Sequence, residues 1–214
     1  MKKFLFLLSL SLIPFYVFSQ NVSMCVLGSN DYEFLNSEKI LNSDDEYTSN
    51  DPFNNILGLR WGMNLNDAIL KLKELGLSEY ETSVNDNGLS VLFNDNVYWD
   101  GMWFNHLTLN SFVSNRQQCY LSEIIFSKNL SDIIDAKNIF EQVAVQLRWR
   151  FGVDMVKKDF KGGDLIYYIE EDLKGLVMPR VILGRSEYHQ EFGYIIALKF
   201  NGYMEASKRV YDDR

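Results

Sequence analysis

The stretch from Ile56 to Leu77, ILGLRWGMNLNDAILKLKELGL, carries a complete folding instruction. It reads as a short strand, a turn, a capped amphipathic helix and a glycine stop. Asn64 stands just before the apolar periodicity begins, where a short polar side chain can accept from a free backbone N–H of the first turn. Asp67 puts negative charge in that turn, which the helix dipole favours. Leu65, Ala68, Ile69, Leu72 and Leu75 recur at spacings of 3 and 4 and define one helix face. Gly76 supplies a left-handed stop, after which Leu77 can fold back on the last turn. A helix with a single apolar face must bury it, and here the rest of the chain offers sheet.

Sheet signals follow at once. Gly88–Phe93 contains LSVLF after the turn-forming run Asn85–Asp86–Asn87–Gly88. Val97–Trp99 continues extended, Asp100–Gly101 is a second turn, and Met102–Phe112 alternates Leu107 and Leu109 with Thr108 and Asn110. Asn115–Gln118 is a hairpin loop, and Tyr120–Ser127 is too apolar to be one-sided, so it is read as a central strand. Ser131 or Asp132 then caps a longer helix with a stripe of Ile133, Ala136, Phe140, Val143, Leu147 and Phe151, stopped by Gly152. Asp164–Glu171, Arg180–Tyr188 and Phe192–Gly202 supply further strands. Residues 205–214 are charged and are read as a frayed tail.

The two halves share an order. Their helix stops are Gly76 and Gly152, an offset of 152 − 76 = 76. Moved by that offset, Leu89–Phe93 falls on Leu165–Ile169 and Leu107 on Leu183. Phe126 and Phe200, at the ends of the third strands, are 200 − 126 = 74 apart. The expectation is an α+β fold built from two helix-plus-three-stranded antiparallel meander units that pool their strands into one sheet with helices packed on it. The units would span 56–128 and 129–204. Chance similarity of two α+β halves is the alternative to a true repeat.

The N-terminus carries an address. Lys2 and Lys3 precede an apolar run from Phe4 to Phe18, and Val17 and Ser19 are small enough for a cleavage site, so residues 1–19 read as a secretory signal peptide. The run is short of the ~20 residues that a membrane helix needs. Removing two lysines takes the formal charge from −8 to −10. So acidic a chain repels phosphate backbones, and nucleic acid is not an expected partner. Residues 20–55 read as a flexible arm, and Asn36–Asn55 is crowded with turn-forming Asn, Asp and Ser. Asp44, Asp45 and Asp51 in it lack the spacing and the glycine of a calcium loop. Cys25 and Cys119 are the only cysteines, and an oxidising compartment would allow one disulfide between them; two buried thiols are the alternative.

At LGLRWGMNLNDAILKLKELGL the chain resembles the opening module of many small secreted proteins of Gram-negative bacteria, Bacteroidetes above all, through Gly58, Trp61, Gly62, Met63, Ala68, Leu72 and Gly76. The tandem helix-plus-meander order is similar to the beta-lactamase-inhibitor-protein-like architecture, also found as a single unit in a small outer-membrane-assembly lipoprotein. The resemblance implies protein binding without catalysis and carries no catalytic residues. Cys25 departs from a lipoprotein pattern, because Met24 is not the small residue that should precede a lipidated cysteine.

Catalytic chemistry finds little purchase. His106 and His189 have no second ligand at metal spacing, and Gly184–Arg185–Ser186–Glu187–Tyr188 lacks the last glycine of a nucleophile elbow. Gly162–Gly163 has no Lys-Ser/Thr after it to make a phosphate loop. Glu170, Glu171 and Asp172 form an acidic run beside a turn. The candidate contact site is aromatic: Tyr98, Trp99, Trp103 and Phe104 flank Asp100–Gly101–Met102, a turn that could display rings to a protein or a sugar; the alternative is that these rings cover the helices or the hydrophobic edge of the sheet. The sequence thus reads as an exported, periplasmic or secreted, non-enzymatic module that binds an envelope protein, with no cofactor or metal and no transmembrane span in the mature chain. The alternative is a secreted carbohydrate-binding or carbohydrate-processing protein, whose acids would come from Glu123, Asp164 and Glu170.

Overall fold

The computed structural model describes residues 56–85, 87–152, 154–159, 165–169, 178–185 and 193–212. Helix α1 is Leu65–Glu74. The Asn64 side chain accepts from the Asn66 N–H at 2.9 Å. At the other end the Gly76 N–H donates to the Lys73 carbonyl and the Leu77 N–H to the Leu72 carbonyl, at 2.9 and 3.1 Å, with Gly76 at φ +93°. These paired bonds satisfy carbonyls that the last turn leaves free. Leu65, Ala68, Ile69 and Leu72 are buried as expected, whereas Leu75 sits at the cap and is exposed. Asp67 is in the first turn, yet partial burial holds its carboxyl above the ordinary value. Helix α2, Ile133–Phe151, starts on Asp132, whose carboxylate accepts from the Ile134 and Asp135 N–H groups, and ends at Gly152 with φ +64°. Ala136, Phe140, Val143 and Leu147 of its stripe are buried; the Phe151 side chain lies outside the described part.

Among the described residues, ten strands follow the expected α+β plan: β1 Tyr80–Asn85, β2 Gly88–Phe93, β3 Val97–Trp99, β4 Met102–Phe104, β5 His106–Val113, β6 Cys119–Leu130, β7 Met155–Asp159, β8 Leu165–Ile169, β9 Met178–Arg185 and β10 Tyr194–Asn201. Eight of them form one sheet in the order β1-β2-β5-β6-β10-β9-β8-β7. Every pairing is antiparallel. Each half contributes a four-stranded meander instead of the expected three. The additional strands are β1 and β7, which occupy the two edges of the sheet and lack the apolar alternation that marks a half-buried strand. The last strands of the halves, β6 and β10, pair in the middle across Leu130↔Tyr194 to Glu123↔Asn201.

Met102–Phe112, expected as one strand, is divided. Asn105 breaks it: its N–H donates to the Ser127 carbonyl at 2.8 Å, and its side-chain oxygen accepts from the Asn129 N–H at 2.9 Å. Residues before the break pair with β3 as a separate two-stranded hairpin, and residues after it join the large sheet.

One sheet face holds the core. Val91, Phe93, Leu107, Leu109, Ile124, Phe126, Val181, Leu183, Ile196, Leu198 and Phe200 are buried together with the inner faces of α1 and α2. The alternate positions, among them Leu92, Thr108, Ile125, Ile182, Ala197 and Lys199, are only partly buried. The expected charged tail is instead helix α3, Tyr203–Asp212. Ala206 is fully buried, Glu205 is held by Arg209 one turn on at 3.1 Å, and Tyr203 and Tyr211 pack against Phe112. Tyr120 completes this group, and its burial pushes the phenol above its ordinary pKa.

Candidate functional site

The hairpin β3–β4 divides the four aromatic candidates by strand alternation. Tyr98 and Trp103 face each other across the two strands, with ring centroids 5.1 Å apart and planes tilted by 55°. Both stay largely in solvent, at 55% and 58% exposure. Trp99 and Phe104 point the other way and are buried. Trp99 stacks on Phe126 at 5.2 Å and meets Phe200 edge-on at 5.4 Å, while Phe104 lies 5.2 Å from Phe126. Thus Trp99 and Phe104 act as an anchor in the core, and only Tyr98 and Trp103 can meet a partner directly.

The turn that joins the strands needs two left-handed residues, Asp100 at φ +50° and Gly101 at φ +86°. Asp100 is tied to Arg150 at the end of α2 by an ion pair. The Arg150 guanidinium also lies over the Trp99 ring, 5.0 Å from its centroid. On the β4 side, the Lys128 ammonium donates to the Trp103 carbonyl at 3.1 Å. The exposed ring pair therefore stands on a hairpin fixed at its turn, its base and one flank.

Trp149, not singled out by the sequence pattern, is a further exposed ring. It is 84% exposed and precedes the Arg150 that grips the hairpin turn. A signal was present: Trp149 lies off the stripe of Phe140, Val143 and Leu147, between Arg148 and Arg150. A large ring outside a helix's apolar face has no core to enter.

The sheet face turned away from α1, α2 and the hairpin carries partly buried side chains. Glu123, on β6, accepts from Asn110 Nδ2 at 2.6 Å and pairs with Lys199 Nζ at 2.6 Å. Its carboxylate is thereby engaged within the sheet. His106 lies on the same face, with Nε2 3.2 Å from Asn129 Nδ2. Leu92, Ile125, Ile182 and Ala197 form the apolar part of this face and are partly exposed.

Several sequence candidates fall outside the described residues: Asp164, Glu170, Glu171, Asp172, His189, Gly162–Gly163, the Ser186–Tyr188 stretch, the leader, and the arm with Asp44, Asp45, Asp51 and Cys25. Cys119 is buried at the start of β6 and is disulfide-bonded. Among the described residues no three His, Cys, Asp or Glu side chains gather to hold a metal ion, and no helix is long and apolar enough to cross a membrane. Compared with known proteins, the chain matches no family model, no curated protein and no solved structure.

Proposed function

We propose that this protein is an exported, non-enzymatic protein-binding module of the cell envelope, and that Tyr98 and Trp103 are the centre of its contact surface. The observation that supports the site is the division of labour in the hairpin: two buried aromatics hold it and two exposed ones are presented. Large rings fixed before binding lose little conformational freedom on contact, which is why aromatic side chains so often carry interface energy. The leader-like residues 1–19 support export. The resemblance to the beta-lactamase-inhibitor-protein-like architecture supports protein binding over catalysis. The tilt between the two rings also favours a protein contact, because a sugar would stack best on a flat platform, and 55° is far from coplanar.

The test uses the tagged mature chain on the envelope fraction of its own host, with retained proteins identified by mass spectrometry. One dominant protein should be held, and Trp103→Ala should lower its retention at least about tenfold, the scale of an interface hot spot. Tyr98→Ala should act in the same direction, and neither variant should shift the melting temperature by more than about 2 °C, since both rings are exposed. Retention unchanged by both variants would overturn the site. Retention of glycans on an array, with no protein held, would transfer the surface to the carbohydrate reading.

A further inference from the structure

The eight-stranded sheet is open, and its two edges are built differently. At one edge β7 reads Met-Val-Lys-Lys-Asp, and Lys157 is bound to Glu141 and lies over the Phe140 ring. Lysines on an edge strand obstruct pairing with another chain. At the other edge β1 reads Tyr-Glu-Thr-Ser-Val-Asn, six residues with no proline, lysine or bulge. Five of the six are exposed. The Asn94 N–H donates to the Glu79 carbonyl, and Asn85 pairs with Gly88 at the hairpin end. Antiparallel alternation then turns Glu81, Ser83 and Asn85 toward β2, and directs the N–H and C=O groups of Tyr80, Thr82 and Val84 outward.

We propose that β1 is the interface of a twofold homodimer, in which it pairs antiparallel with β1 of a second copy. The proposed register is the one that pairs the outward groups of Tyr80, Thr82 and Val84 with one another. Centred on Thr82, the twofold sets Thr82 opposite Thr82, Tyr80 opposite Val84, and Glu81 opposite Ser83 of the other copy. The outward groups of Tyr80, Thr82 and Val84 then meet their counterparts in hydrogen-bonded pairs. Hydroxyl–hydroxyl and aromatic–β-branched pairs are favourable across strands, and the glutamates avoid facing each other. A residue-for-residue match of this kind is what a closed twofold contact requires.

The side chains are already placed for it. Tyr80 rests on Phe93 at 5.4 Å between centroids, with the Lys73 ammonium 4.8 Å from its ring. Val84 is 52% exposed on the same side of the strand. Leu70, one turn before Lys73 on α1, is 49% exposed. The twofold brings the two α1 helices to the same side of a continuous sheet. This surface is separate from the Tyr98–Trp103 hairpin, and the proposal does not rest on what that hairpin binds.

Sedimentation equilibrium on the mature chain tests it, with three substitutions at one position. Thr82→Pro removes an outward N–H and no bond of the β1–β2 ladder. Thr82→Lys sets two ammonium groups opposite each other at the twofold. Thr82→Val keeps strand propensity without charge. The wild type and Thr82→Val should sediment at twice the monomer mass, and the other two should halve it while keeping the far-ultraviolet circular dichroism of the wild type. If Thr82→Pro fails to fold, Thr82→Lys decides. A wild type that stays monomeric at the highest concentration reached, a larger open polymer, or a dimer mass unmoved by Thr82→Lys would each overturn the proposal.

Discussion

Trp61 and Gly202 meet so closely that neither can change alone. The Trp61 ring is buried, and a Cβ added to Gly202 would lie 2.1 Å from it. The Gly202 N–H donates to the Ser122 carbonyl at 2.9 Å, so the backbone cannot retreat without losing a bond. Gly202→Ala should therefore destabilise the protein by on the order of 3 kcal/mol, read from urea unfolding. In a Trp61→Leu background the same change should cost less than about 1 kcal/mol, because the ring that collides is gone. An equal cost in both backgrounds would show that something other than this contact decides. Trp61 was visible in the sequence as part of the opening module, but its partner was not, since 141 residues separate them (202 − 61). The aromatic hairpin shows the same limit. Tyr98, Trp99, Trp103 and Phe104 stand out as a group because they flank one turn, while their division into two presented and two buried rings depends on which residues face each other, fixed by a register centred on Asp100–Gly101.

Among the elements, the joint between α2 and the β3–β4 hairpin carries the most consequence for the proposed site. Arg150 is its hinge pin, held to Asp100 by charge and to Trp99 by its flat guanidinium. The pair is partly solvent-screened, so Arg150→Ala should cost only about 1 kcal/mol of global stability. Its local effect should be larger: amides of residues 97–104 should exchange with solvent faster, measured by mass spectrometry, while β6 and β10 keep their protection. Arg150→Lys should recover only part of this protection, because an ammonium can hold Asp100 but cannot lie flat on the ring. Unchanged exchange in the hairpin would remove Arg150 from its anchoring role. The helices were legible because their signals are local: Asn64 and Gly76 bound α1, and Asp132 and Gly152 bound α2. The edge strands were not, because β1 is exposed on both sides and β7 carries two lysines in five residues. Helix α3 was hidden for a third reason. Glu205 and Arg209 look like tail charges until they pair one turn apart, and the helix's buried contact is made by an alanine.

At the scale of the whole molecule, the two halves meet through their last strands, β6 and β10. Phe126 of β6 and Phe200 of β10 lie edge to face at 6.3 Å, and Trp99 touches both rings. These phenylalanines hold corresponding places in the two meanders, so the near-constant sequence offset places the centre of the core as well as the order of elements. A half separated from its neighbour would expose a row of rings and a full strand edge, with β6 or β10 as the edge. Neither half should therefore unfold alone. Urea unfolding followed by circular dichroism and by tryptophan fluorescence should give one coincident transition, and Phe126→Ala should shift it as a whole by about 3–5 kcal/mol. Hydrogen exchange should grade outward from that centre, slowest in β6 and β10 and fastest in β7, with β1 slowed in proportion to protein concentration if it pairs across the proposed twofold. Two separated transitions would mean that the β6–β10 seam is a boundary between independent units, and the shared core would lose its role as the element that makes them one protein.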